Sequence, residues 1–275
     1  MEIQSKKGEK RMFFDSHMHT THSDGKSTLE EMCQRAIAMG AGGITITDHA
    51  DMNFYESRDT YNRIRGGIQH IRQMQAAYRG ELELLCGVEL GEYLCGPENA
   101  QKILSLTDYD SILCSIHYVP EARWEKPYNR IVFSEDGTDA ELDEYLRLYF
   151  DLLSRTMDCF DFDVLSHLAC PVRYMTTKYG RPTDVMRYAP KIREILQKVI
   201  DRKIALEWNT AGLRQNEEIF TMYYQMGGRL VTLGSDAHHQ DNIGRRFPEN
   251  QQALKDCGFT HYHYYKNRTP QPVDL

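Results

Sequence analysis

Short apolar, β-branched runs alternate with helix-like segments along nearly the whole chain, and this alternation constrains the fold more than any other feature. The segments between the runs carry apolar residues at helical spacing. The predicted strands cover residues 12–15, 43–47, 82–88, 111–116, 162–165, 204–208 and 230–233. Seven strand–helix repeats without a linker indicate an α/β fold. A chain of 275 residues is long enough for one α/β barrel or for two small domains.

Local signals predict where two of the helices begin. Ser27 and Glu30 form a capping-box pattern in front of the first predicted helix. Thr138 and Glu141 form a second capping-box pattern in front of a helix with a clear apolar stripe. Both patterns therefore predict helix N-termini at these positions.

The remaining segments are predicted to be loops or terminal extensions. Two stretches that contain prolines, 118–137 and 170–183, are expected to be long loops that serve a site. Residues 1–11 form a polar N-terminal extension. The C-terminal tail, 259–275, begins with alternating large and polar residues, as an edge strand does. We expect this tail to close or cap the barrel.

Residues that can bind metal ions follow most of the predicted strands. His17 and His19 leave the first strand with i,i+2 spacing, which places both imidazoles on the same side of an extended segment. The candidates after the later strands are His49, Glu89, His117, His167, Asp236 and His238. Because the carboxyl ends of barrel strands meet on one face, we expect these side chains to converge in a common cleft.

The same positions resemble the four motifs of the polymerase-and-histidinol-phosphatase (PHP) superfamily of metal-dependent phosphoesterases. The matching segments are Asp15-Ser16-His17-Met18-His19 with Ser23-Asp24-Gly25, Thr47-Asp48-His49, Ser166-His167, and Gly234-Ser235-Asp236-Ala237-His238. Segments 87–89 and 115–117 match the intervening ligands. The resemblance covers almost the whole chain and implies a single distorted (β/α)7 TIM-like barrel over residues 1–275.

The resemblance also implies two or three divalent metal ions in one shared site. The first ion would be held by His17, His19, Glu89 and Asp236. The second would be held by Glu89, His117 and His167, with Glu89 bridging the two ions. The third would be held by Asp24, His49 and His238. The role of Asp24 is open, because His22 lies close enough to replace it and Ser23-Asp24-Gly25 is also typical of a turn.

The kind of donor atom limits which metals the site would take. A mixed set of imidazoles and carboxylates suits Zn²⁺, Mn²⁺ or Fe²⁺ better than Mg²⁺ or Ca²⁺, which prefer oxygen ligands throughout. The sequence does not choose among these three ions. Such ions lower the pKa of a bound water and polarise a phosphoryl oxygen, so the chemistry that suits them best is phosphoester hydrolysis.

Two further segments resemble the histidinol-phosphate phosphatase branch of the superfamily. They are 167–174, which contains Arg173, and 206–214, which has the pattern E-x-N-T-x-G-x-R and ends in Arg214. A guanidinium can bind two free oxygens of a phosphomonoester, so Arg173 and Arg214 are the predicted phosphate-binding residues. Asn209 would orient these arginines, contact the substrate or satisfy the end of its strand.

The implied reaction is hydrolysis of L-histidinol phosphate to L-histidinol and phosphate, a step of histidine biosynthesis. Asp236 and His238 are the predicted catalytic residues. Asp236 would orient or deprotonate the attacking water, and either His238 or a metal-bound water would protonate the leaving alkoxide. Asp51, Glu92 and Tyr118 also follow ligand-bearing strands, and they are either substrate contacts or ordinary loop residues.

Two other functions fit the same residues. A PHP-type phosphodiesterase or nucleotide phosphoesterase would keep the metal centre but would depend weakly on Arg214, because a diester lacks the dianionic group that two arginines bind. A non-catalytic domain would keep the metal ions for structure or for binding a partner. The presence of every implied ligand argues against this second alternative.

The amino-acid composition indicates which binding partners and which cellular compartment to expect. The 33 Lys and Arg residues against 40 Asp and Glu residues give a net charge of −7, and there is no basic run, so no nucleic-acid partner is expected. A small phosphorylated substrate is compatible with this charge. No apolar run approaches the ~18 residues of a membrane helix, and no targeting peptide is visible, which predicts a cytoplasmic protein without membrane contact. Seven cysteines without a C-x-x-C pair are expected to be mostly buried free thiols.

Overall fold

Ten strands form one sheet in the part of the chain that the computed structural model describes, residues 13–119, 137–212 and 216–275. The strands are β1 (Phe13–Met18), β2 (Ala41–Ile46), β3 (His49–Asp51), β4 (Glu83–Gly91), β5 (Ser111–Ser115), β6 (Val164–Leu165), β7 (Ala205–Asn209), β8 (Val231–Gly234), β9 (His261–Lys266) and β10 (Thr269–Asp274). Their order is β1-β2-β4-β5-β6-β7-β8-β9-β10, with β3 beside β4. Only β9 and β10 pair antiparallel among the described strands. The predicted α/β class is confirmed, with a mostly parallel sheet.

Helices connect most of these strands. They are α1 (Leu29–Ala38), α2 (Thr60–Ala77), α3 (Pro97–Leu104), α4 (Asp139–Met157), α5 (Cys170–Tyr179), α6 (Ala189–Asp201), α7 (Asn216–Gln225) and α8 (Phe247–Asp256). Every strand that the sequence predicts is present, with ends shifted by a few residues, and at least one helix lies between each successive pair of them. The capping box predicted at the start of α4, between Thr138 and Glu141, is confirmed. Helices α5 and α8 and strands β3 and β10 were not predicted.

The capping box of α1 lies one residue later than the sequence pattern suggests. Thr28, not Ser27, is the N-cap residue, and it exchanges hydrogen bonds with Glu31. Ser27 is buried, and its hydroxyl accepts a hydrogen bond from the backbone N–H of Gln240. The prediction that Ser27 and Glu30 form the box is therefore wrong, because tertiary packing takes the hydroxyl of Ser27 away from the helix.

One of the two predicted loops contains a helix. The expectation of an irregular segment over 170–183 is wrong for its first ten residues, which form α5. Pro171 stands in the first turn, where its missing N–H removes no helical hydrogen bond. Gly180 ends the helix at a φ of +63°, a left-handed conformation that glycine adopts without a steric cost. Most of the other predicted loop, residues 120–136 of 118–137, lies outside the described residues.

The C-terminal hairpin of β9 and β10 covers the amino ends of two distant strands. Near the start of β1, the backbone N–H of Phe14 donates to the Tyr262 hydroxyl at 2.8 Å. The rings of Phe14 and Tyr264 stack with centroids 3.7 Å apart, and the Tyr264 hydroxyl donates to Glu83 at the start of β4. The strand predicted at the start of the tail is thus present as β9.

A small apolar cluster, separate from the main core, lies on four strands. It consists of Leu113, Val164, Ala205 and Tyr265. Leu113 pairs in register with Val164, and Val164 with Ala205, so these side chains lie next to one another on one face of the sheet. Tyr265 from β9 packs against them. This packing fills the space that β5, β6 and β7 share with the hairpin.

The two ends of the parallel sheet meet beyond β8. In the described residues no regular ladder joins β1 to β8, but Met18 and Ala237 form an isolated parallel bridge. The backbone N–H of Asp236 donates to the carbonyl of His17, and that of His19 donates to the carbonyl of Ala237, both at 2.9 Å. The segment after β8 is therefore held directly against the end of β1.

Two expectations from composition can be compared with the structure. Within the described residues, no helix combines the length and the apolar character that crossing a membrane requires. All seven cysteines are free thiols. Five of them are buried, as expected, whereas Cys95 and Cys159 are exposed.

Candidate metal centre

The parallel strands bring the predicted metal-binding side chains to one end of the sheet. They lie at or just beyond the carboxyl ends of β1, β2, β4, β5, β6 and β8. The predicted metal ligands that the structure brings together are His17, His19, Asp24, His49, Glu89, His117, His167, Asp236 and His238. Of the two predicted phosphate-binding residues, Arg173 joins this cluster, and Arg214 lies outside the described residues.

Glu89 lies at the centre of the cluster and is fully buried. Its Oε2 atom is 3.3 Å from Nε2 of His17, 3.5 Å from Nε2 of His19 and 2.9 Å from Nδ1 of His49. The Nε2 atoms of His17 and His19 are themselves only 3.0 Å apart. One oxygen of Glu89 thus faces three imidazoles that come from the ends of β1 and β2.

The other oxygen of Glu89 faces a second pair of imidazoles. Oε1 is 2.7 Å from Nε2 of His167 and 3.4 Å from Nε2 of His117. These two Nε2 atoms are 3.4 Å apart. Glu89 therefore lies between two groups of imidazoles, and the resemblance implies that this carboxylate bridges two ions.

A third group lies nearer the surface. Oδ1 of Asp24 is 3.1 Å from Nε2 of His238 and 3.7 Å from Nε2 of His49. His22 is turned away from this group, since its Nε2 atom contacts Nδ1 of His70 at 3.2 Å. Of the two candidates that the sequence leaves open, only Asp24 lies beside the predicted ligands.

Asp236 joins the first group to the predicted phosphate-binding arginine. Its Oδ1 atom is 3.4 Å from Nε2 of His19, and its Oδ2 atom accepts a hydrogen bond from Nη1 of Arg173 at 2.9 Å. The same Nη1 donates to Oδ1 of Asn209 at 3.1 Å. The backbone of Asp236 has a φ of +52°, which is uncommon for a residue with a side chain. The guanidinium of Arg173 is thus fixed beside the cluster by Asp236 and Asn209 through Nη1 and by the sulfur of Cys170, 3.5 Å from Nη2.

The electrostatics of the cluster follow from the burial of opposite charges. Burial alone would raise the pKa of Glu89, but the surrounding imidazoles, His49 first, hold it well below its usual range. Burial alone would lower the pKa of His49, but Glu89 and Asp51 raise it to about 9. Burial is likewise outweighed at His167, where Cys170 and Glu89 raise the pKa to about 10. The metal-free cluster therefore holds protons on imidazoles at neutral pH.

The arrangement of donor atoms fits divalent metal ions. The imidazole and carboxylate atoms of His17, His19 and Glu89 lie within 4.8 Å of one another, and those of three other combinations do so as well. His19 is fully buried, and burial together with the neighbouring imidazoles lowers its pKa to about 3. Its Nδ1 atom has no hydrogen-bond partner among the described residues. In proteins, first-row transition metal ions are bound by unprotonated imidazoles and ionised carboxylates that face one another. The same kinds of side chain face one another here.

Asp51 and Glu92 support His117, a role that the sequence analysis did not consider. Both carboxyl groups are buried. Oδ1 of Asp51 is 3.3 Å from Nδ1 of His117, and Oε1 of Glu92 accepts hydrogen bonds from the backbone N–H groups of His117 and Tyr118. Burial and the nearby charge of Asp51 raise the pKa of Glu92 to about 7. The sequence feature that could have identified both residues is a charged side chain at the end of a buried strand.

Two other buried aspartates were also missed as functional supports, although both lie inside the motif segments. Oδ1 of Asp15 accepts from the backbone N–H of Ser235, and its Oδ2 accepts from that of Gly244, both at 2.9 Å. Asp48 accepts from the backbone N–H of Thr20 at 2.7 Å and from the hydroxyl of Ser23 at 2.6 Å. These aspartates hold the loops that carry the predicted ligands.

A cavity of about 320 Å³ opens onto the cluster. Besides the predicted ligands and Arg173, its walls include Asn53, Phe54, Arg58, Tyr118 and Tyr174. Its volume is in the range of small-molecule sites. Tyr118, whose role the sequence left open, thus lies where it can contact a bound molecule.

Relatives of known name are similar to this chain over most of its length. The "Probable histidinol-phosphatase" of Clostridium acetobutylicum is 29% identical over 262 residues, which cover 90% of this chain and 94% of that protein. The "Histidinol-phosphatase" of Lactococcus lactis is 23% identical over 257 residues, covering 89% of this chain and 91% of that protein.

Solved structures share the fold. The crystal structure of histidinol phosphate phosphatase from Lactococcus lactis, in complex with zinc, L-histidinol and phosphate, superposes with a TM-score of 0.76 at 20% sequence identity. The alignment covers 94% of this chain and 100% of that chain. At this identity the likeness demonstrates a common fold.

The sequence also matches a family described as "PHP domain", over residues 15–211. The match includes five of the six strand ends that carry the predicted ligands, and only the segment after β8 lies beyond it. Because it covers most of the chain, the match confirms the resemblance that the motifs indicate. The chain belongs to the PHP domain family.

Proposed function

We propose that this protein is a metal-dependent phosphomonoesterase that hydrolyses L-histidinol phosphate to L-histidinol and phosphate in histidine biosynthesis. The observation that carries the proposal is the buried cluster of imidazoles and carboxylates around Glu89, with the guanidinium of Arg173 fixed beside it. The names of the relatives support the choice of substrate. The cavity of about 320 Å³ next to the cluster suits a molecule of this size.

The proposed metal ligands fall into three sets that share Glu89 or lie next to it. The first set is His17, His19, Glu89 and Asp236. The second set is Glu89, His117 and His167. The third set is Asp24, His49 and His238. Two or three ions of Zn²⁺, Mn²⁺ or Fe²⁺ held there would lower the pKa of a bound water and neutralise charge on the phosphoryl group.

The protein's own groups would orient the phosphate. Arg173 is held by Asp236 and Asn209 through one nitrogen, Nη1, at the edge of the cavity. A guanidinium placed in this way can bind phosphate oxygens that the metal ions leave free. Arg214 is proposed as the second phosphate-binding residue, and this assignment rests on its position in the sequence pattern alone.

Asp236 and His238 are the proposed groups for proton transfer. Burial would raise the pKa of Asp236, but its hydrogen bond with His19 and the charge of Arg173 hold it well below the usual range. The carboxylate is therefore ionised and able to accept a proton from, or orient, the attacking water. Burial would lower the pKa of His238, but Asp24 and Asp236 raise it, which supports a protonated imidazole that can donate to the leaving alkoxide as long as no ion occupies its Nε2 atom. With the third ion bound there, a water molecule held by an ion would donate instead.

We further infer that the strands close into one distorted (β/α)7 barrel that forms a single domain. The bridge between Met18 and Ala237, and the hydrogen bonds on either side of it, support closure between the end of β1 and the segment after β8. Hairpin β9–β10 would then cap the amino end of this barrel through Tyr262 and Tyr264.

The substrate proposal is tested by phosphate release from a panel of monoesters and diesters, after the protein is loaded separately with Zn²⁺, Mn²⁺ and Fe²⁺. We expect histidinol phosphate to be preferred, with kcat/KM at or above about 10⁴ M⁻¹s⁻¹. A preference for diesters or nucleotides would contradict the proposed substrate. Hydrolysis of none of these compounds by fully loaded protein would favour a non-catalytic metal-binding domain.

Asp236→Asn tests the proposed role of the carboxylate. The amide keeps the shape of the side chain but cannot accept a proton, so kcat is expected to fall by about 10²–10⁴-fold with little change in thermal stability. Asp241→Asn is the matched control, because Asp241 is exposed and lies on the same loop. Full activity of the Asp236→Asn protein would rule out the proposed role.

Metal binding is expected to release protons. In the metal-free protein, His49 and His167 have pKa values of about 9 and 10 and are protonated at neutral pH, whereas a metal ion requires the unprotonated nitrogen. Apparent Zn²⁺ affinity should therefore rise between pH 6.5 and 8.5, about tenfold per pH unit for each proton displaced. Competition with a chromophoric chelator measures this slope. His239→Gln is the control, since the His239 side chain is partly exposed and belongs to none of the proposed ligand sets, so the slope should stay unchanged. An affinity independent of pH would contradict the prediction.

A further inference from the structure

Glu207 is a buried carboxylate in β7 that contacts two of the proposed metal ligands at once. Its Oε1 atom is 2.5 Å from Nδ1 of His17. Its Oε2 atom accepts a hydrogen bond from the backbone N–H of His167 at 2.7 Å and a longer one, 3.3 Å, from Nδ2 of Asn209. Glu207 therefore joins a ligand from β1 to a ligand that follows β6.

The contact with His17 fixes the orientation and the tautomer of its imidazole. A carboxylate only accepts hydrogen bonds, so Nδ1 of His17 must carry the hydrogen that faces Glu207. The Nε2 atom of the neutral ring then presents a lone pair on the opposite side. That side is where His19 and Glu89 lie, with Nε2 of His19 at 3.0 Å. A carboxylate behind a ligating imidazole is a general way of orienting the ligand and raising its basicity.

The contact with His167 acts on the backbone. His167 has a φ of +21°, outside the regions that residues with side chains usually occupy. The hydrogen bond from its N–H to Glu207 holds the backbone in this conformation. In that conformation the Nε2 atom of His167 reaches to 2.7 Å from Oε1 of Glu89.

The neighbouring strand β8 packs closely against Glu207 and His17. A Cβ atom placed on Gly234 of β8 would lie 2.5 Å from Cβ of His17 and 2.6 Å from Oε1 of Glu207. Only glycine permits this close approach of β8 to the pair. A larger residue at position 234 would therefore displace His17 or Glu207.

We propose that Glu207 is a positioning residue that determines metal affinity at two of the proposed ion sites, through the imidazole of His17 and the backbone of His167. The inference rests on the metal centre of the proposed function and is independent of the identity of the substrate. Both oxygens of Glu207 must act as acceptors for this role.

Glu207→Gln tests the requirement for two acceptors. The amide has nearly the same shape but only one acceptor oxygen, and its NH₂ group must face either Nδ1–H of His17 or the N–H of His167. One of the two ligands therefore loses its support whichever way the amide is turned. Asp163→Asn is the matched control, because Asp163 is a buried carboxylate at the amino end of β6 that accepts from the backbone N–H of Ile112, away from the cluster.

The stoichiometry and affinity of Zn²⁺ binding are measured by competition with a chelator. Thermal unfolding of the same proteins is recorded without metal. We expect Glu207→Gln to weaken binding of at least one ion about 10–100-fold, and Asp163→Asn to leave Zn²⁺ affinity unchanged. Wild-type stoichiometry and affinity in a cooperatively unfolding Glu207→Gln protein would overturn the inference. Equal losses of affinity in both variants would also overturn it, because the effect would then follow from stability alone.

If the Glu207→Gln protein does not fold, a measurement on the wild-type protein tests the same inference. In zinc-loaded protein with ¹⁵N-labelled histidine, NMR should find the hydrogen of His17 on Nδ1; a hydrogen on Nε2 would contradict the inference. Wild-type protein that binds no zinc would contradict the metal centre itself. Protein that binds zinc as expected but does not hydrolyse histidinol phosphate would contradict only the proposed substrate.

Discussion

The carboxylate of Glu89 is fully buried, and five imidazole nitrogens lie within 3.5 Å of its two oxygens. An isolated buried carboxylate would be strongly unfavourable, so this charge requires compensation by positive charge. In the metal-free protein the compensation comes from protonated imidazoles. Metal ions can replace those protons, since the same nitrogens then face cations instead of carrying hydrogens. The arrangement of the sheet, which brings six strand ends to one side, is what makes this concentration of ligands available.

The geometry of the cluster depends on carboxylates that stand behind it. Asp15 and Asp48 accept hydrogen bonds from backbone N–H groups in the loops that carry the ligands. Glu207 accepts a hydrogen bond from Nδ1 of His17, and Asp51 lies beside Nδ1 of His117. Positive φ angles at Glu92, His167 and Asp236 show that the backbone is held in uncommon conformations around the site. Rigid support of this kind keeps the ligand atoms in place before any ion arrives.

The ligands could be predicted from the sequence because each follows a strand, and parallel strands end on the same side. The residues that support these ligands could not be predicted in the same way. The function of Glu207, for example, depends on which nitrogen of His17 it contacts. Helix α5 was missed because Cys170-Pro171 was interpreted as a loop, although proline is tolerated in a first turn. The N-cap of α1 was misplaced by one residue, because Ser27 and Thr28 both fit the pattern and only the contact with Gln240 distinguishes them.

We expect Glu89 to lie between metal ions held by the two groups of imidazoles. The most direct measurement is an anomalous-difference map from crystals of the zinc-loaded protein, recorded on both sides of the zinc absorption edge. This placement predicts peaks on either side of Glu89, at about 2.0–2.2 Å from its oxygens and from the Nε2 atoms of His17 and His167. Zinc-loaded crystals without an anomalous peak next to Glu89 would contradict it.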